Sequence, residues 1–309
     1  MTTRDIIAIG GSAGSLDALR RILASFAADL PAAVFVVIHL SPRSRSYLPE
    51  ILQKSTSMLV AQASEGAPIR KGTIYITPPD RHLIVSEDHI HLSRGPKEGL
   101  QRPSINVAFR SAAGAYGNRV IGVLLSGMLD DGAAGIWEIG KRDGVTIVQD
   151  PSEAPFPSMP LNALNDAIVH HTLSVSEIGP LLTRLVREEV SPTLGGQTGQ
   201  ERSMTRFSGL TCPECRGPLY ENGHPAEFRC RVGHVLSLKT LFDEHTSTQE
   251  RKLYEAIVAL EEGADLAERM AVESNDEEQD ELKKEAEQLR STAGVIRRLI
   301  EERAMPSAG

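Results

Sequence analysis

Asp5-Ile6-Ile7-Ala8-Ile9-Gly10-Gly11-Ser12-Ala13-Gly14-Ser15-Leu16-Asp17 decides how this 309-residue chain is read. A β-branched run that breaks at two glycines predicts a buried strand over 5–9 followed by a tight turn. Beyond the turn, Leu16, Leu19, Ile22, Leu23 and Phe26 recur at helical spacing, and Ala33 to Ile38 is a second apolar run. Strand, helix and strand in that order make a βαβ unit, which requires a parallel sheet. Gly72 to Ile76, Val120 to Leu125 and Thr146 to Gln149 extend the alternation, and Leu83, Val85, Ile90 and Leu92 alternate around Glu87-Asp88 as a surface hairpin over 82–92. The expectation is an α/β domain, doubly wound on a mainly parallel sheet, over residues 1–187.

The remaining sequence divides by composition. Residues 188–208 are Ser, Thr, Gly, Gln and charge without an apolar period and read as a flexible linker. All 3 cysteines fall within 209–245. From 246 to 309 the apolar positions step by 4 and 3, as Leu253, Ile257, Leu260, Ala264, Ala267 and then Leu282, Ala286, Leu289, Ala293, Ile296, which predicts an antiparallel helical hairpin. Its simplest role is packing, and a docking surface for signalling partners is the functional alternative.

Net charge excludes as much as the pattern includes. With 33 Lys+Arg against 41 Asp+Glu the chain carries -8, so no global attraction draws it to nucleic acid or anionic membrane. Arg216, Arg229 and Arg231 are basic, but acidic residues surround them. No apolar run is long enough to span a bilayer and the N-terminus does not read as a secretion signal, so a cytoplasmic location is expected.

The turn after the first strand has the form strand, G-x-S-x-G, helix. A serine there projects its hydroxyl from the sheet edge, and free N–H groups beside it, that of Ala13 among them, suit a developing oxyanion. A phosphate-cradling turn is the competing reading, but neither G-x-G-x-x-G nor G-x-x-x-x-G-K-[ST] is present. The second strand ends at His39. Carboxyl ends of adjacent parallel strands meet at one edge, which makes Ser12 and His39 candidate nucleophile and general base. The strand over 120–125 runs into Asp130-Asp131-Gly132, which supplies a carboxylate to orient the imidazole; spacing leaves both aspartates open, and an N-cap is the structural alternative.

Six segments recur in one family's order: Ile9-Gly10-Gly11-Ser12-Ala13-Gly14, Val37-Ile38-His39, Ile76-Thr77-Pro78-Pro79-Asp80-Arg81-His82, Arg102-Pro103-Ser104-Ile105-Asn106, Leu125 to Gly135 and Ser158-Met159-Pro160. On these residues the chain resembles the catalytic domain of CheB-type chemotaxis protein-glutamate methylesterases. The resemblance implies a triad of Ser12, His39 and Asp131, an oxyanion hole that includes the Met128 N–H, no catalytic cofactor, and a methylated chemoreceptor cytoplasmic region as substrate, with glutamine deamidation as a second activity. It also implies a receiver domain that this chain is expected to lack. A scaffold that retains an esterase-like domain is the alternative function. The pattern differs at Ala13, where the family commonly has Thr, at Ser15, and at Leu129 and Ser158, where glycine is usual.

Cys212-Pro213-Glu214-Cys215 and Cys230-Arg231-Val232-Gly233-His234 give a C-x-x-C knuckle and a C-x-x-x-H pair with 14 residues between them. Three thiolates and an imidazole form a closed tetrahedral set, so a zinc-ribbon-like module over 209–245 with structural zinc on Cys212, Cys215, Cys230 and His234 is expected. His224 is the alternative fourth ligand. A redox dithiol is less apt, because no βαβ context surrounds the pair.

Overall fold

A computed structural model describes residues 2–39, 46–191, 206–221, 227–273 and 276–304. The chain divides into two compact units, Met1–Thr240 and Leu241–Gly309.

Seven strands form the central sheet of the first unit: β2 (Ile6–Gly11), β3 (Ala33–Ile38), β4 (Leu59–Gln62), β5 (Thr73–Ile76), β8 (Val120–Leu124), β9 (Val145–Gln149) and β10 (His171–Leu173). Their order is β10-β9-β8-β2-β3-β5-β4, and every pairing is parallel. Every residue of β2, β3, β5, β8 and β9 is buried, because helices cover both faces. Strand alternation divides the core in two. Ile7, Ile9, Val34 and Val36 pack with Leu19, Ile22 and Leu23 of α1 (Ser15–Ala24), Leu52 of α2 (Leu48–Gln53), and Ile178 and Leu182 of α6 (Val175–Leu185). Ile6, Ala8, Phe35 and Val37 pack instead with Phe109 of α3 (Ile105–Tyr116), Ile136 of α4 (Ala133–Lys141) and Met159 of α5 (Ser158–Asp166).

The expected hairpin is present as β6 (His82–Val85) against β7 (Ile90–Ser93). Two short strands close the other end of the domain, β1 (Thr2–Thr3) pairing antiparallel with β11 (Glu189–Val190). Glu189 and Val190 thus belong to a sheet although they sit in the stretch whose composition suggests a linker; residues 192–205 of that stretch lie outside the described residues. Leu16, expected on the apolar face of α1, is 40% exposed.

Four antiparallel strands follow, β12 (Phe207–Thr211), β13 (Pro218–Glu221), β14 (Glu227–Cys230) and β15 (Val235–Ser237), paired in chain order. Helix α7 (Leu238–Glu273) begins before the expected end of the cysteine segment, with Ser237 Oγ accepting the Thr240 N–H as its cap. In the second unit α7 and α8 (Asp276–Ala304) pack together. Ile257 meets Ala293 and Ile300, while Ala264 and Ala267 meet Ala286, so the two helices run antiparallel on the expected heptad positions. No helix among the described residues is long and apolar enough to cross a membrane.

Candidate active site

β2 runs out at Gly11, and the chain turns sharply into α1. The Ser12 N–H donates to the Ser126 carbonyl at 2.9 Å, and Ser15 caps the turn by donating its N–H (3.2 Å) and hydroxyl (2.6 Å) to the Ser12 carbonyl. A Cβ at Gly11 would lie 2.6 Å from Ser15 Oγ, and Gly14 has φ 75, so both glycines follow from the tightness of the turn. Ser126 Oγ donates to the Ala13 carbonyl at 2.9 Å and ties the turn to the end of β8.

His39 follows β3, the strand next to β2. Its Nδ1 is 3.1 Å from Ser12 Oγ, and its Nε2 is 2.7 Å from Asp131 Oδ2. A carboxylate opposite Nε2 selects the tautomer with the proton on Nε2, which leaves the Nδ1 lone pair facing the serine hydroxyl. Asp131 is 4% exposed and accepts three further hydrogen bonds, from Ser104 Oγ (2.9 Å) and from the N–H groups of Ile105 (2.7 Å) and Asn106 (3.0 Å). The last two are free donors of the first turn of α3. Burial alone would raise its pKa, but the hydrogen bond from His39 and the two helix N–H groups outweigh it and hold the carboxyl below its ordinary value. Asp130 turns the other way and accepts from Thr240 Oγ1 at 3.0 Å; burial and the neighbouring Asp131 charge push its pKa up. Of the two aspartates left open by spacing, Asp131 is therefore the one joined to His39.

The loop from Ser126 to Gly132 lies against the serine. Its ends are fixed: the Ser126 N–H donates to Gln149 Oε1 at 2.9 Å, and the N–H groups of Gly132 and Gly135 donate to Asn106 Oδ1 at 2.9 and 2.8 Å. A Cβ on Gly127 would come 2.9 Å from Ser12 Cβ and 1.9 Å from Met159 Sδ, which requires glycine for backbone to approach the nucleophile. Among the described residues, no protein acceptor takes the backbone N–H of Met128 or Ala13, as a site for a developing oxyanion requires.

Leu129 adopts φ 64, which explains why glycine suits its position. Its carbonyl accepts from Ser158 Oγ (3.1 Å) and from the Asn162 side-chain amide, so the serine at 158 supports the leucine at 129. Leu129→Gly is expected to leave stability within about 1 kcal/mol, as relief of left-handed strain offsets lost packing and backbone entropy. Leu129→Val is expected to cost about 1–2 kcal/mol more, because a β-branched side chain disfavours that conformation. Thermal unfolding of the two variants checks the order, and equal Tm values would contradict it.

Ser104, Asn106, Gln149 and His82 also support the site, in roles that their local sequence does not announce. His82 is buried; its Nε2 faces the Pro96 carbonyl at 2.9 Å and its Nδ1 accepts the Ser104 N–H at 3.2 Å, and burial lowers its pKa. One signal in the sequence is Ser104 directly before an apolar helical stretch, the pattern of a helix start.

The cysteine segment forms a second cluster. Donor atoms of Cys212, Cys215, Cys230 and His234 all lie within 4.8 Å of one another. Cys215 Sγ to Cys230 Sγ is 3.6 Å, and His234 Nδ1 lies 3.7 Å from Cys212 Sγ and 3.5 Å from Cys230 Sγ. Zn–S bonds of about 2.3 Å and Zn–N bonds of about 2.0–2.1 Å at tetrahedral angles would space the donors about 3.5–3.8 Å apart, so the set fits such an ion. His224 lies outside the described residues.

Residues 7–182 match a family model described as CheB methylesterase. The chain is 37% identical over 194 residues to the protein-glutamate methylesterase/protein-glutamine glutaminase 2 of Methanosarcina mazei, covering 60% of this chain and 53% of that protein. It is 36% identical over 183 residues to the protein of the same name from Anaeromyxobacter dehalogenans, covering 59% and 54%. The chain thus spans about half the length of these curated relatives. Among solved structures it is similar to the Thermotoga maritima CheB methylesterase catalytic domain, with a TM-score of 0.57 and 26% identity, over 60% of this chain and 100% of that one.

Proposed function

Because the chain belongs to the CheB methylesterase family, we propose that it hydrolyses glutamyl methyl esters on the cytoplasmic region of chemoreceptors, with Ser12 as nucleophile, His39 as general base and Asp131 as its orienting carboxylate. The observation that carries this reading is the unbroken hydrogen-bond path Ser12 Oγ, His39 Nδ1, His39 Nε2, Asp131 Oδ2. His39 Nδ1 takes the hydroxyl proton as Ser12 Oγ attacks the ester carbonyl; the ionised Asp131 stabilises the resulting imidazolium. The oxyanion is met by the N–H groups of Met128 and Ala13. Collapse of the tetrahedral adduct expels methoxide, which leaves as methanol with the proton from His39, and a water activated by the same nitrogen hydrolyses the acyl-serine. A glutamine side-chain amide fits the same steps with ammonia as leaving group.

Zinc on Cys212, Cys215, Cys230 and His234 is part of the same proposal. It would act as a structural ion that cross-links β14 and the C-x-x-C turn of a ribbon-like module, with no place in the ester chemistry.

Methanol release from a methylated receptor peptide, by this chain and by Ser12→Ala, tests the function. Release by the parent and none by the variant is expected. A parent with no activity on peptide or on small esters would favour a scaffold with a retained esterase-like domain.

A further inference from the structure

Several contacts within the first unit build the cysteine module onto the catalytic edge, among them an ion pair from Lys97 Nζ to Glu214 Oε1 at 2.9 Å. Val235 bridges the loop preceding α3: its carbonyl accepts the Gly99 N–H at 2.8 Å and its N–H reaches the Lys97 carbonyl at 3.4 Å. Gly99 itself lies beside Asp131, since a Cβ there would be 4.0 Å from Asp131 Cβ. Beside this bridge is a largely buried charge cluster. Glu98 takes a bidentate pair from Arg110 of α3 (3.0 and 2.8 Å), and the same guanidinium lies 4.0 Å from Glu227 of β14. Two further contacts grip the oxyanion loop. Thr240 Oγ1 donates to Asp130 Oδ1 at 3.0 Å, and Lys239 Nζ donates at 3.2 Å to Oδ1 of Asn162, whose amide nitrogen holds the Leu129 carbonyl.

We propose that the module is a positioning element of the esterase site: through Thr240 and Lys239 it fixes the 128–131 loop, and with it the Met128 N–H, at the place where the oxyanion forms. This rests on the reading of Ser12, His39 and Asp131 as the catalytic groups. Asp130 and Asp131 leave adjacent backbone positions in opposite directions. One holds the imidazole and the other is held by the module, so the backbone between Met128 and the base is pinned from both sides. A loop with only one of these anchors samples orientations in which the N–H misses the oxyanion, and that loss falls on the transition state more than on the bound ester.

The whole 309-residue chain tests this with Thr240→Val, the double variant Thr240→Val/Lys239→Met, and Thr240→Ser as the conservative rescue. Kinetics on p-nitrophenyl acetate are paired with amide hydrogen exchange of 127–131 and with metal content. The double variant is expected to lose kcat by roughly ten- to hundred-fold with KM within about two-fold, in the range of a weakened oxyanion donor. Exchange across 127–131 should rise, metal content should stay at the parental value, and Thr240→Ser should restore both kcat and protection. A double variant with kcat within two-fold of the parent overturns the proposal whatever the exchange shows, and so does a rise in kcat, which would mean that the module covers the site. Ser12→Ala in the same series keeps the two readings apart. Parental activity in that variant defeats the triad, while the exchange comparison still decides whether the module holds the loop.

Discussion

His39→Ala is expected to lower esterase turnover by roughly four orders of magnitude with the fold intact, and Asp131→Asn by nearly as much. Asp131→Asn is the more informative of the two, because it changes little except which atoms donate. Oδ2 accepts from His39 Nε2 and Ile105 N, and Oδ1 from Ser104 Oγ and Asn106 N. Whichever oxygen becomes an amide nitrogen, a helix N–H then faces another donor, at a cost of about 1–3 kcal/mol. If the amide nitrogen faces His39, the imidazole must shift its proton to Nδ1, and the lone pair needed by Ser12 is lost. Asp130→Asn should be mild, within a few-fold, because an amide oxygen still accepts from Thr240 and a neutral isostere suits a carboxyl whose pKa burial already raises. Steady-state kinetics with circular dichroism as the fold control check the series. If the two aspartate variants exchange behaviour, the third member of the triad is Asp130.

Much of this site is legible in the sequence because it sits where sequence signals are strongest. The central strands are covered on both faces and read as continuous apolar runs, and Ser12 and His39 are the first polar residues after two of them. Edge strands give a weaker signal: β4 is four residues long, with Leu59 at 62% exposure and Gln62 at its far end, and β10 is three residues long, so neither has the length or burial of a central strand. The choice between Asp130 and Asp131 depends on which of two neighbouring side chains meets the first turn of α3, a contact made across 25 positions that local pattern does not encode. Attachment of the cysteine module is further from local pattern still. It depends on single hydrogen bonds and on Arg110, Glu98 and Glu227 converging from three elements, in residues that each read alone as ordinary surface charge.

Removal of the metal carries the other large effect. Purified protein is expected to hold one zinc per chain, and Cys212→Ser or Cys230→Ser should release it. Coordination in small modules is worth on the order of 10 kcal/mol, and the four strands here offer little else. Among the described residues from Phe207 to Ser237, Leu219, Leu236 and Val235 are the main buried apolar side chains, and Cys212 and Cys230 are themselves buried. Without the ion these strands should open and become sensitive to protease. The catalytic domain should keep its fold, because neither hydrophobic layer of its sheet contains a described residue of the module. The two transitions therefore separate on heating: a metal-dependent one confined to 206–240, and a metal-independent one for the sheet. Elemental analysis and limited proteolysis decide between the outcomes. A protein free of zinc and of any other bound metal, yet resistant to cleavage across 209–221 and 227–237, would show that the cluster is held without an ion and would end the zinc assignment.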